Sequence, residues 1–206
     1  MVKTQQDTTT EQKILDAARK VFIAKGMAGA RMQDIADEAG INKAMLHYYF
    51  RSKEKLFETI FKELSIEFLP RVNAIFESDV SLFEKIEVFC SEYISRMMEN
   101  PFIPLFIVNE INKQPEIFLK KMWGGKRPQI GKFLQQIETE IKKGAIERIH
   151  PAQLMLNMVS MCIFPFIGKP LCQMVMGINE SGYRKLMEER KTLVPQFIIE
   201  SIRKKH

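Results

Sequence analysis

At 206 residues, 46% of them hydrophobic, the chain fits a globular protein and is long enough for one large domain or two small ones. A net charge of +6 and an isoelectric point near 9.2 suit an anionic partner such as nucleic acid without demanding one. The cysteines Cys90, Cys162 and Cys172 are odd in number, widely spaced and lack a Cys-x-x-Cys pair, which argues against a disulfide framework or a zinc site and for buried free thiols in a reducing cytosol.

No segment alternates apolar and polar residues over a strand length, so an all-α fold is predicted throughout. Met1–Thr8 is expected to be a disordered arm; Met1–Thr10 is polar, so no signal peptide is expected. A first helix begins near Thr9 or Thr10, with Gln12 completing a capping box, carries Ile14, Leu15, Ala18, Val21 and Phe22, and stops at Gly26. A short second helix holds Met32, Ile35, Ala36 and Ala39 and ends at Gly40. A third starts from the N-cap Asn42 and ends near Tyr49. Ser52 caps a fourth, striped by Leu56, Phe57, Ile60, Phe61, Leu64 and Phe68, which Pro70 bends or ends. Longer helices follow at Leu82–Met98, Phe102–Ile111, Glu116–Lys143 (kinked or split at Gly124-Gly125), Pro151–Phe164 and Gly182–Lys204. The most apolar run, Ala152–Ile167, is shorter than the roughly 18–20 residues of a membrane span and is expected to be a buried helix.

The segment Ile35–Phe50 combines two short helices, small residues at Ala36 and Ala39, a glycine turn at Gly40 and a capped second helix. This is the chemistry of a helix-turn-helix. Ile35, Ile41 and Leu46 lock the pair onto the first helix, leaving Lys43, Ala44, Met45 and His47 pointing outward, where a recognition helix meets base edges. Lys53, flanked by Arg51 and Lys55, lies at a helix start whose free N–H groups favour an anion such as phosphate. Tyr48 is assigned to packing, beside Phe50.

Ile35-Ala36-Asp37-Glu38-Ala39-Gly40-Ile41-Asn42, followed by His47-Tyr48-Tyr49-Phe50-Arg51-Ser52-Lys53-Glu54-Lys55-Leu56, resembles the tetracycline-repressor (TetR) family of regulators. That family runs from Ile-Ala-x-x-Ala-Gly-Val-Ser to Tyr-x-Tyr-Phe-x-x-Lys-x-x-Leu. Ala17-Ala18 and Phe22 with Gly26 are similar to its first helix. The resemblance implies base contacts from Lys43, Ala44, Met45 and His47, phosphate contacts from Tyr49 and Lys53, and further contacts from Met32 and Gln33. Asn42 stands for the usual serine, His47 for a common tyrosine, Met45 for a commoner threonine, and Arg31 for a capping serine or threonine, weakening that cap but adding a cation near DNA.

The resemblance also implies a domain division, residues 1–55 being the arm and three-helix DNA-binding unit and 56–206 a helical ligand-binding and dimerisation unit. The function implied is that of a cytoplasmic, ligand-responsive repressor releasing a palindromic double-stranded operator, with no cofactor and no membrane partner. The methionine-rich stripe Met155, Met158, Met161, Phe164 and Phe166, with Met174 and Met176, is ordinary core or part of a pocket for a small apolar or amphipathic ligand. Candidate lining residues are Phe89, Tyr93, Met97, Phe106, Met122, Trp123, Met158 and Cys162. Leu186, Arg190, Leu193, Val194, Phe197 and Ile198 form a broad stripe on the last helix, assigned with Pro151–Phe164 to a homodimer interface, the alternative being that both helices are intramolecular core. Gly124-Gly125-Lys126-Arg127 lacks phosphate-loop spacing, and no paired carboxylates, triad or nucleophile elbow is present, so no enzyme is expected. The rival readings are a sequence-nonspecific DNA-binding protein and a helical lipid- or metabolite-binding protein with a vestigial helix-turn-helix. The basic residues Lys43, Arg51, Lys53 and Lys55 oppose the latter.

Overall fold

A computed structural model describes residues 5–113, 115, 116, 120 and 128–204. Among them are ten helices: α1 (Gln5–Gly29), α2 (Met32–Ala39), α3 (Lys43–Tyr49), α4 (Lys53–Glu77), α5 (Leu82–Glu99), α6 (Ile103–Lys113), α7 (Gly131–Lys142), α8 (Pro151–Ile167), α9 (Lys169–Met176) and α10 (Glu180–Ile202). No strand forms among the described residues beyond a single antiparallel bridge between Ile146 and Arg203. The all-α expectation holds. No single described helix is long and apolar enough to cross a membrane.

The chain divides into two compact units. One runs through Glu67 and includes the stretch from Asn109; the other takes Phe68–Val108 and the chain from residue 128 on. The division falls in α4, later than the 55/56 boundary expected from sequence.

In the first unit, helix extends back to Gln5, through residues expected in the disordered arm; residues 1–4 lie outside the described residues. Gly26 leaves helical geometry at φ 66°, ψ 172°, so the predicted stop interrupts α1 before a final turn to Gly29. Ile14, Ala18, Phe22, Ile35, Ala36, Leu46, Phe57 and Ile60 are fully buried and form this unit's core; the Phe22 and Phe57 rings meet edge-on at 5.2 Å. Arg19 bridges α1 to α4 through Glu63 at 2.7 Å.

In the second unit, α5 packs against α10 and α8, with α7 alongside. Phe76, at the end of α4, stacks between Phe89 (5.1 Å) and Phe133 (4.7 Å). Two ammonium groups satisfy the terminal carbonyls of α4, where the helix dipole favours cations. Lys85, the buried charge of this unit, donates to the Phe76 carbonyl at 2.9 Å, and burial pushes its pKa down. Lys132 donates to the Glu77 carbonyl at 2.7 Å and pairs with Asp79 at 2.6 Å.

Pro70 does not end α4, which continues to Glu77, and α8 runs through Pro165 to Ile167. The predicted helix from Glu116 begins, in its described C-terminal part, only at Gly131; the Gly124-Gly125 break lies outside the described residues. Nor is α8 buried all round. Leu154, Met158, Cys162 and Phe166 face inward while Leu156 and Phe164 are exposed. Helix α9, absent from the sequence-based expectation, starts with Lys169-Pro170 and closes at Gly177 with φ 63°. That is the proline-start, glycine-stop asymmetry of helix ends.

Candidate functional site

The turn between α2 and α3 follows from local hydrogen bonding. Gly40 takes φ 66°, and its N–H donates to the Asp37 carbonyl at 3.1 Å. The Ile41 N–H reaches back to the Ala36 carbonyl at 3.0 Å, completing a paired C-terminal cap that only a residue tolerant of positive φ closes without strain. Two residues on, the Asn42 side chain accepts the Met45 N–H at 2.7 Å and starts α3. At Arg31 half of a capping box forms: the Asp34 carboxylate accepts the Arg31 N–H at 3.1 Å, but a guanidinium has no lone pair to offer in return.

Leu46 and Phe50 anchor α3 in the core, one turn apart. Lys43, Ala44, Met45 and His47 are exposed, as expected of a reading face. His47 Nδ1 lies 3.3 Å from the Arg51 carbonyl and donates there when that nitrogen holds the proton. Tyr48 departs from the packing role assigned from sequence. It is 82% exposed and meets the half-buried Tyr49 edge-on at 5.4 Å. The signal was available, because a residue two positions from Leu46 on a helix points about 200° away.

The surrounding charge is arranged in pairs. Lys25 binds Asp34 at 2.9 Å, Lys20 binds Glu38 at 2.9 Å, and Gln33 donates to Asp37 at 2.7 Å. The Lys25 ammonium, with the Arg31 N–H, holds the Asp34 carboxyl below its usual range, and the Glu38 partner raises Lys20. The acids of α2 are thereby occupied, whereas no described carboxylate pairs with Lys43 or Arg51. Lys53 is half-buried, and its Nζ donates to the Ala30 carbonyl at 3.0 Å, tying the start of α4 to the α1–α2 connection. Arg31 and Gln33 are exposed and Met32 is half-buried. The Asn42 side chain is committed to its cap.

Among the pocket candidates, Phe89, Met97, Met158 and Cys162 are buried in the second unit, and Met122 and Trp123 lie outside the described residues. Cys90 directs its S–H toward the Cys162 sulfur, and that contact, reinforced by burial, pushes the Cys90 thiol far above its ordinary pKa where α5 and α8 meet. Tyr93 and Phe106 keep accessible surface. Tyr93 packs on Phe68 and Phe89, each at 5.5 Å, its hydroxyl has no hydrogen-bond partner among the described residues, and burial raises its pKa above the ordinary phenol range. A separate groove of about 370 Å³ on the opposite side of α5 is lined by Glu87, Val88, Ser91, Glu92, Lys191, Thr192, Pro195 and Gln196; this lining contains none of the pocket candidates.

The stripe on the last helix separates into two adjacent faces. Val194 and Ile198 are buried inside the protomer, and Arg190 ties α10 to α8 by donating to the Met161 carbonyl at 2.6 Å. Leu186 is half-buried, while Leu193 and Phe197 are 57% and 63% exposed. Leu156 and Phe164 give α8 an exposed apolar side of its own.

Residues 14–60 match the family profile described as bacterial regulatory proteins, tetR family. The HTH-type transcriptional repressor NicS of Pseudomonas putida is 42% identical over 67 residues, a match that spans 32% of each chain. HlyIIR, a hemolysin II transcriptional regulator, has a similar structure with TM-score 0.63 at 24% identity, covering 96% of this chain and 99% of that one. FadR from Bacillus subtilis, solved with stearoyl-CoA, matches with TM-score 0.60 at 16% identity over 93% and 98% of the two chains. The sequence match thus falls on the helix-turn-helix unit, and the structural likeness extends the fold across the described chain. Residues 14–60 thus form a helix-turn-helix unit similar to the one that profile describes, and beyond them the likeness to the solved regulators is one of fold.

Proposed function

We propose that the protein is a dimeric, ligand-responsive transcriptional repressor that reads a palindromic DNA operator. One observation carries the DNA-reading part: α3 buries Leu46 and Phe50 while presenting Lys43, Ala44, Met45, His47 and Tyr48 to solvent beside the carboxylate-free Lys43 and Arg51. Lys43 and His47 supply base-edge hydrogen bonds, and Met45 an apolar contact suited to a thymine methyl. Tyr48, Tyr49, Arg51 and Lys53 supply phosphate contacts that set affinity more than sequence. Two copies related by a two-fold axis present their recognition helices about one DNA turn apart, roughly 34–36 Å.

The ligand is a small apolar or amphipathic molecule bound in the second unit, with Tyr93 offering its unpartnered hydroxyl amid Phe68 and Phe89. The stearoyl-CoA complex of FadR, a protein of the same fold, supports this choice of ligand class. Binding is transmitted through α4, which contributes residues to both units. A preference of about 1–3 kcal/mol for one conformation is enough to regulate.

Selection of binding sites from a random duplex library tests the reading. An enriched inverted repeat with half-sites one turn apart is expected. Uniform, base-independent binding that vanishes with salt would instead assign the protein to sequence-nonspecific DNA binding.

A further inference from the structure

The fold brings together two thiols that stand far apart in the chain. Cys90 on α5 and Cys162 on α8 are both free and fully buried, and Cys90 directs its S–H toward the Cys162 sulfur. The surroundings are soft and dry. Met158, one turn before Cys162 on the inward side of α8, is also fully buried, and Met97 is buried two turns beyond Cys90. Tyr93, one turn after Cys90, holds a hydroxyl within electrostatic reach of Cys162, and that hydroxyl has no hydrogen-bond partner among the described residues. Packing alone calls for neither a second thiol at this contact nor an unpaired hydroxyl beside it.

We propose that Cys90 and Cys162 bind one soft monovalent metal ion, Cu(I), between their sulfurs in a two-coordinate site. The inference goes beyond the organic ligand proposed above and does not depend on it. Ligand type is the first argument: sulfur donors select soft ions such as Cu(I) over hard ones. Ligand number is the second. A structural zinc ion asks for four donors, and among the described residues no group of three His, Cys, Asp or Glu side chains could hold a metal. Charge is the third. As Cu(I) enters, the Cys90 S–H bond breaks and a Cu–S bond forms to each sulfur. The proton leaves to solvent, Cys162 keeps its own, and no electron is transferred. One positive charge replaces another, so the apolar site gains no net charge, whereas a divalent ion making the same exchange would leave one buried and unpaired.

The test uses the full chain with Cys172→Ser, which removes the half-exposed third thiol. Cu(I) is supplied anaerobically in competition with bicinchoninate. One ion per protomer is expected, with a higher melting temperature, since an ion that binds only the folded chain stabilises it. Native mass spectrometry is expected to show the gain of one copper and the loss of one hydrogen. X-ray absorption at the copper edge is expected to show two sulfur neighbours. Adding Cys90→Ala or Cys162→Ala should weaken binding by at least about a hundredfold, more than the loss of a group beyond the ligands would. No withdrawal of copper from bicinchoninate overturns the proposal, as does affinity that survives either alanine. A nitrogen or oxygen shell around the copper, or a loss of two hydrogens without bound metal, which would make the thiols a redox pair, overturns it as well. Stoichiometry, mass and absorption need only the Cys172→Ser protein, so they decide the matter even if an alanine variant unfolds. None of these measurements involves DNA, and their failure leaves the operator reading untouched.

Discussion

Lys53 faces two demands that Lys53→Met separates. The substitution keeps most of the stem and removes the ammonium that donates to the Ala30 carbonyl at 3.0 Å. A charge-assisted hydrogen bond is worth about 1.5–3 kcal/mol when buried, and the half-exposure of this side chain reduces that to about 1 kcal/mol. A phosphate contact has a different signature. Each phosphate neutralised adds about 0.9 to the slope of log affinity against log salt, so losing one weakens the affinity drop between 50 and 200 mM salt by about 3.5-fold per recognition unit. Fluorescence anisotropy on operator and on scrambled duplex, across that salt range, reads the second effect; urea denaturation reads the first. The expected result is a shallower slope on both duplexes, unchanged sequence preference and a stability loss near 1 kcal/mol. An unchanged slope with reduced stability would make Lys53 a strut of the helix-turn-helix and remove it from the DNA face. A changed base preference would refute the division between phosphate and base contacts.

Three further outcomes are expected. Asn42→Ala removes the cap on a seven-residue helix, costing about 1 kcal/mol by urea denaturation, while Asn42→Ser restores most of it. Tyr93→Phe keeps the ring and deletes the hydroxyl. Among fatty acids, acyl-CoAs and aromatic acids that raise the wild-type melting temperature, it should weaken binding about five- to tenfold and leave operator affinity alone; an unchanged ligand affinity would place the ligand elsewhere. Because Lys25 lowers the folded-state pKa of Asp34, the associated stability is complete above the ordinary carboxylate pKa of about 3.9 and is lost as pH falls through the lower folded value. Acid denaturation of Asp34→Asn should therefore lack that part of the loss, and identical acid profiles would show that the pair is inconsequential.

What the sequence disclosed was chemistry that closes within three or four residues. Gly40, Asn42 and Ser52 announce helix ends through bonds to their own neighbourhood, and the structure has those bonds. The sequence-based helices leave a gap between Phe164 and Gly182, yet a proline at position 170 suits a first turn, and α9 begins there. Orientation was harder. Val194 and Ile198 differ from Leu193 and Phe197 by one position, and on a helix that is a rotation of about 100°, enough to move a side chain from the interior to solvent. Composition could not say which side of the apolar α8 would meet α5. Lys53 was legible as a cation at a helix start, but its bond to Ala30 joins residues far apart in the chain, and no local pattern encodes that.

The burial of two of the three cysteines has a practical consequence. Thiolates, not thiols, react with maleimides, and Cys90 and Cys162 are enclosed, with Cys90 held firmly protonated. Cys172 on α9 is half-exposed, one turn away from Val175. A fluorophore should therefore attach to the native wild-type chain at this one position, with three thiols becoming titratable only after denaturation. The unaltered protein thus carries its own reporter on α9, where quenching or energy transfer between labelled copies registers association in real time.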